Sequence, residues 1–326
     1  MSDSNIPIKE FRLELSDLTF TGHDLARPES IIAQPNGTLW TSDGRGGVTR
    51  ISSNGEQQFI GGLGGEPNGL AMADDGSIIV ANIAIGTIQK LSPDTGRVEE
   101  LLTEVDGVKT TCANYVFFDS KNRLWIAFST REQQWWPACA SPRPDGYIVL
   151  LDEKGPRVVG DSIYFTNEIR LDAKEEYLYV AETMKRRILR FRVRPDGTLT
   201  DREIVGPDGL GAGAVTDGFT FDADGNIWVT TPLRNGVGII TTDGDYHVVF
   251  EEANEPLLKT FDERVASGTT QPSDMLATAG KTLQFTTSVT FGGPDLRTVY
   301  VGSLAMPHLP TFRSPVPGLP MKHWKV

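Results

Sequence analysis

The feature that most constrains this chain is a short unit that recurs six times along it. Each copy has a polar residue at a strand entry, runs through alternating apolar positions, turns at a corner of the Asp/Asn-Gly type, and leaves through a second apolar strand. The copies are RPESIIAQPNGTLWTSD from Arg27, PNGLAMADDGSIIVAN from Pro67, ANYVFFDSKNRLWIAF from Ala113, TNEIRLDAKEEYLYVAE from Thr166, TDGFTFDADGNIWVTT from Thr216 and TSVTFGGPDLRTVYVGS from Thr287. A period of two between turn residues marks a β-hairpin. Further strands follow several copies, as in GVTRISSNG (47–55), TIQKLSPDTG (87–96), ILRFRVRPDG (188–197) and GIITTDGD (238–245). About four short strands per unit is the content of a propeller blade. The sequence therefore predicts an all-β protein, a six-bladed β-propeller forming one domain over 1–326. A parallel α/β fold would need amphipathic helices between its strands. The best helical candidate, EPLLKTFDERVA (255–266), stands alone.

The copies start about 40 to 70 residues apart, so the excess length must form loops. The clearest insertion is REQQWWPACASPRPDGY (131–147), between strands of the third blade. Its adjacent Trp135 and Trp136 suit either a packing plug or a lid over a ligand.

Composition excludes several classes of function. A formal net charge of -12 opposes nucleic-acid binding, which needs clustered Lys and Arg, and is compatible with a cation site. No apolar stretch is long enough to span a membrane. The opening MSDSNIPIKEF lacks the basic and apolar regions of a secretory signal. Cys112 and Cys139 are the only cysteines and lack zinc-type spacing, so two free thiols in a cytoplasmic protein are expected. Nothing in the sequence indicates an oligomeric state.

Aligning the copies at the start of each first strand places Glu29, Asn68, Asn114, Asn167, Asp217 and Ser288 at equivalent positions. The innermost strands of a propeller line its axis, so these residues are expected to form a ring at one level of the channel. Oxygen-bearing side chains converging on an axis are costly when unpaired, and a hard cation relieves that cost. Calcium, magnesium and manganese all favour oxygen ligands. With no histidine or thiolate cluster in the ring, zinc is a less natural occupant. Turn-forming Asn, Asp and Ser commonly bond their own backbone instead. That reading suits Ser288 best and Glu29 least, since Glu is a poor turn former.

The motifs RPES, CANYVFFD, TNEIRLD, TDGFTFDADGNIWV and FGGPDLRTVYVGS occur in family order, and the likeness runs from about Leu25 to the C-terminal SPVPGLPMKHW. In these motifs the chain resembles the gluconolactonase, senescence marker protein and luciferin-regenerating enzyme family. The resemblance implies a lactone-opening hydrolase acting on a small molecule through one divalent metal, calcium first, with magnesium, manganese or zinc as alternatives. It implies that Glu29, Asn167 and Asp217 are the metal ligands, and that Asp217 doubles as general base or orients the attacking water. Asn114 would contact substrate or complete the metal shell, and Asn68 and Cys112 fall beside it. Sugar-acid lactonases of this family often carry Arg where this chain has Cys112. That departure, with Trp135 and Trp136, points to a more apolar substrate, because a thiol cannot replace a five-donor guanidinium.

Of the four histidines, His23 lies six residues before Glu29 and is a candidate proton shuttle at the channel mouth. His247, His308 and His323 fall in outer strands or the C-terminal segment, where surface or packing roles are expected. Neither a G-x-S-x-G elbow nor a phosphate-binding loop occurs. Glu182 and Asp43 are expected to close hairpins through nearby Arg, and Asp222 and Asp224 to shape the DADG turn. The competing readings are a phosphotriester or aryl-ester hydrolase using the same site, and a non-enzymatic binding propeller with a structural metal. A strictosidine-synthase-like role fits less well, since that chemistry needs a catalytic Glu and no metal ligands.

Overall fold

The alternating runs fold into antiparallel hairpins, and the hairpins pair into six four-stranded sheets arranged in a ring, a six-bladed β-propeller. A computed structural model describes residues 6–324; residues 1–5 and 325–326, the ends of the expected single domain, lie outside the described residues. Blades 1 to 5 span 31–61, 67–102, 113–163, 166–205 and 219–251. Blade 6 takes three strands from 286–313, and its outermost strand is Thr19–Thr21 from near the N-terminus. Thr19 pairs with Thr311 in antiparallel register, so the two ends of the chain close the ring by hydrogen bonds.

Buried side chains form a separate apolar core between each pair of neighbouring blades. Ile32, Trp40 and Val48 of blade 1, for example, pack on Leu70, Ile78 and Val80 of blade 2. The hairpin corners explain part of the repeat. Trp40, Trp125 and Trp228 each donate an indole N–H to a residue six positions earlier, Gln34, Asp119 and Asp222. Asp222 also accepts from the backbone N–H groups of Asp224 and Asn226, which accounts for the DADG turn. Buried Asp43 and Glu182 are held by Arg45, and by Arg187 and Arg202.

Two insertions depart from the repeat. The first separates the second and third strands of blade 3 and carries the five-residue helix α1 (Trp136–Ala140). The second lies between blades 5 and 6 and carries α2 (Glu255–Ser267) and α3 (Pro272–Leu276). Asn254 caps α2 by accepting from the N–H of Leu257, and Gly268 ends it in the left-handed conformation at φ 68°. Only these insertions carry α-helix among the described residues, and no helix is long and apolar enough to cross a membrane.

The C-terminal segment runs beneath the ring, at the end away from the two insertions. Leu319 donates its backbone N–H to Phe221 of blade 5, and Met321 Sδ accepts from Arg170 of blade 4. His323 and Trp324 both bond the carbonyl of Ala33 in blade 1. His247 lies on the outer strand of blade 5, and His308 packs edge-on against Phe20.

Candidate active site

Five of the six aligned ring residues line one cavity at the top of the channel: Glu29, Asn68, Asn114, Asn167 and Asp217. Ser288 does not; it is buried against the backbone approach of Gly302 and its Oγ has no partner. The way the strands deliver these side chains differs from plain alternation. The register shifts between Pro67 and Leu70, Ala113 and Tyr115, Thr166 and Ile169, and Thr286 and Val289. Each irregularity sits at the ring residue, and bulges of this kind re-aim side chains beside functional sites. Glu29 and Asp217 instead lie just ahead of their strands. Ser42 Oγ fixes the Glu29 segment by accepting the backbone N–H groups of Glu29 and Ser30 at 3.2 and 3.0 Å. Two glycines make room for the convergence. A Cβ on Gly69 would lie 2.5 Å from the Tyr115 backbone, and one on Gly218 would lie 2.5 Å from the carbonyl of Thr287. Here the N-G and D-G pairs serve close approach between blades and not hairpin turns.

Hydrogen bonding leaves a particular set of atoms free. Asn68 Nδ2 donates to Glu29 Oε1 and to the Asn114 carbonyl, both at 3.0 Å, while its Oδ1 accepts from Arg27 at 2.8 Å. Asn167 Nδ2 donates to Thr183 Oγ1 at 3.2 Å. Glu29 Oε2 and Asn114 Oδ1 are buried with no partner. Beneath them Glu168, buried beside Asn167, pairs with buried Arg170, whose guanidinium also lies over the Tyr115 ring.

The electrostatics follow from this crowding. Burial pushes the Glu29 carboxyl up to about 7, with Arg27 opposing and Glu168 adding to the rise. Burial raises Asp217 well above the usual carboxylate range, with Glu29 and Glu168 adding to it and Asn167 and Arg27 opposing. Burial also raises Glu168, against the pull of Arg170. The charges of Glu29 and Glu168 thus both bear on Asp217, and that of Glu168 bears on Glu29.

The donor set suits a hard cation. Two carboxylates and two amides offer oxygen alone, the preference of calcium, magnesium and manganese. Among the described residues, no group of three or more His, Cys, Asp and Glu side chains is arranged to hold a metal ion. The orphaned Glu29 Oε2 and Asn114 Oδ1 are the atoms a cation would satisfy.

Two sequence expectations are corrected. His23 is not at the channel mouth: it stands at the outer rim, largely exposed, with its ring beside Asp24 and its backbone bonded to Gln57 on the outermost strand of blade 1. The six residues to Glu29 carry the chain from the outer edge to the axis, so nearness in sequence is not nearness to the site. Cys112 does not line the cavity either. It is 1% exposed, takes φ 47° and turns its thiol to the Glu132 carbonyl, and a side chain this short does not reach past the wall.

Trp135 and Trp136 do line the cavity, packed edge-to-face with ring centroids 5.8 Å apart. Trp136 packs on the apolar cluster of Leu258 and Phe261 from α2, so the two insertions meet over the site. Sequence reasoning missed Arg27, Cys139 and Glu168. Arg27 and Cys139 line the cavity, and both thiols are free. Arg27 was legible in the RPES motif, whereas Glu168 reaches the floor only because of the bulge at Thr166–Ile169.

The family model described as SMP-30/Gluconolactonase/LRE-like region matches residues 27–253. The curated relative STRICTOSIDINE SYNTHASE-LIKE 6 of Arabidopsis thaliana is 26% identical over 174 residues, 52% of this chain and 45% of that protein. The chain spans about half the length of the curated relatives it matches. Among solved structures, a luciferin-regenerating enzyme superposes with a TM-score of 0.72 at 16% identity, covering 95% of this chain and 100% of that one. The calcium-binding protein regucalcin of Agrobacterium tumefaciens superposes at 0.68 and 18% identity, covering 93% and 96%. At these identities the superpositions show the shared fold.

Proposed function

The chain belongs to the SMP-30/gluconolactonase/LRE-like family, and from that premise we propose that it is a divalent-cation-dependent hydrolase that opens a lactone. The observation that carries the reading is the pair of orphaned buried acceptors, Glu29 Oε2 and Asn114 Oδ1, on the cavity shared with Asn167 and Asp217. Glu29, Asn167 and Asp217 would hold the cation, with Asn114 beside them; the calcium-binding fold relative favours calcium. When bound, such a cation polarises an ester carbonyl and offsets the charge of the two carboxylates.

The remaining roles fall to the chain itself. Asp217 is more open than Glu29, Asn114 and Asn167, each at most 6% exposed, so it is the carboxylate a water can reach. It accepts the proton of the attacking water or steers that water toward the carbonyl carbon. Asn68 holds Glu29 in place, and Arg27 in turn holds Asn68. Trp135 and Trp136 cover the cavity as a lid and keep bulk water from the reacting ester.

The test is lactone hydrolysis followed by pH-stat on a small panel, before and after EDTA and with each divalent metal restored. Activity lost to EDTA and restored by one metal is expected. Tight metal binding with no ester cleaved would replace this reading with a binding propeller that uses a structural metal, and cleavage confined to phosphotriesters or aryl esters would change the bond.

A further inference from the structure

The cavity is chemically divided. Its floor carries the oxygen acceptors described above. Above that floor it is lined by Ile83, Phe165, Leu233 and Leu304, with Trp136 and Phe261 from the two insertions. The cavity volume is about 90 Å³, and its mouth is open to solvent.

From this division we infer that the substrate is a lactone bearing an apolar body, such as an alkyl tail of several carbons, and not a polyhydroxylated sugar lactone. The inference rests on the proposed hydrolase reading for the reacting ester, but its argument comes from the walls. A sugar needs a donor or acceptor for each hydroxyl it buries. The amide of Asn68 is committed at both ends, and Thr183 Oγ1 already accepts from Asn167. Arg27 uses two of its N–H groups on Asn68 and the Pro67 carbonyl. Those left over are donors and offer no acceptor to a hydroxyl. The indoles of Trp135 and Trp136 add donors and no acceptor. Cys112 turns its thiol to the Glu132 carbonyl and does not line the cavity. Each hydroxyl buried without a partner lowers affinity by roughly five-fold or more. Each methylene placed against these walls raises it about fourfold.

The experiment uses the full chain loaded with calcium. Affinities are measured by calorimetry for 2-alkylcyclopentanones with tails from methyl to hexyl, which match the ring but lack the bond to be cleaved. In parallel, kcat/KM is measured for γ-lactones with the same tails and for glucono-δ-lactone. The expected result is a ketone affinity that climbs about fourfold per methylene until the tail fills the cavity, with kcat/KM climbing in step and gluconolactone the poorest substrate. Trp136→Ala and Phe261→Ala should flatten the climb, because each removes apolar surface that the longer tails would cover. Affinity independent of tail length in the unmutated protein, or preference for gluconolactone, would overturn the inference whether or not the variants fold. If ketone affinities climb but no lactone is opened, the apolar specificity stands and the hydrolase reading falls.

Discussion

Asn68 donates its side-chain amide to one carboxylate oxygen of Glu29 at 3.0 Å, and the other oxygen of Glu29 is buried without a partner. The amide belongs to blade 2 and the carboxylate to blade 1, so the aim of the free oxygen is set across a blade interface. Replacing Asn68 by Ala should leave Glu29 free to rotate and weaken calcium binding by about 10- to 100-fold. Calorimetric titration checks this, and unchanged affinity would show that Glu29 is not held for a cation.

Cation binding should also be visible without any substrate. At calcium one hundred times above its dissociation constant, the folded state gains about 2.7 kcal/mol. Thermal unfolding with calcium and then with EDTA reads this directly. Glu29→Gln should remove most of the difference, because it takes away one of the two ring carboxylates.

Arg170 is the buried partner of Glu168 beneath the site. Arg170→Ala leaves that carboxylate uncompensated, and a loss of about 3 to 5 kcal/mol is expected in urea unfolding. The double change Arg170→Met with Glu168→Gln should be milder, since no buried charge is stranded.

The carbonyl of Ala33 receives both the His323 ring and the Trp324 indole. Truncation after Gly318 removes both bonds along with those of Leu319 and Met321 and uncovers the lower end of the channel, with an expected loss of about 2 to 6 kcal/mol. Calcium affinity should change little, because the tail lies at the opposite end from the ring of acceptors.

Burial, together with the neighbouring Arg12, holds the His247 ring down at about 4. The unfolded chain then binds the proton more readily. The resulting stability is full above the unfolded value of 6.5 and is lost as pH falls from there through about 4. Because the ring is only part-buried, the effect is discounted to about 1 kcal/mol. Comparing His247→Gln with the unmutated protein across that window isolates it: the variant's stability should fall less steeply.

The six blades were legible in the sequence because a hairpin is local. Alternating apolar residues and an Asp- or Gly-bearing corner lie within some sixteen residues, and repetition then placed Glu29, Asn68, Asn114, Asn167 and Asp217 at matching positions on one axis. Helix α2 falls on the one segment, 255–266, that stood out as a helical candidate in the sequence.

Only the tertiary structure decided which side chains turn inward. A strict period of two cannot anticipate the bulges that bring Asn167 and Glu168 to the same floor. Nor can spacing along the chain show that His23 ends on the outer rim, or that Cys112 faces the Glu132 carbonyl. The meeting of the two insertions is the clearest case: Trp136 of the blade 3 insertion meets Phe261 of α2 far along the chain. Local patterns carry strand and turn because those follow from each residue and its neighbours. Contacts between insertions and across blade interfaces arise only when the ring closes and buries its apolar faces together.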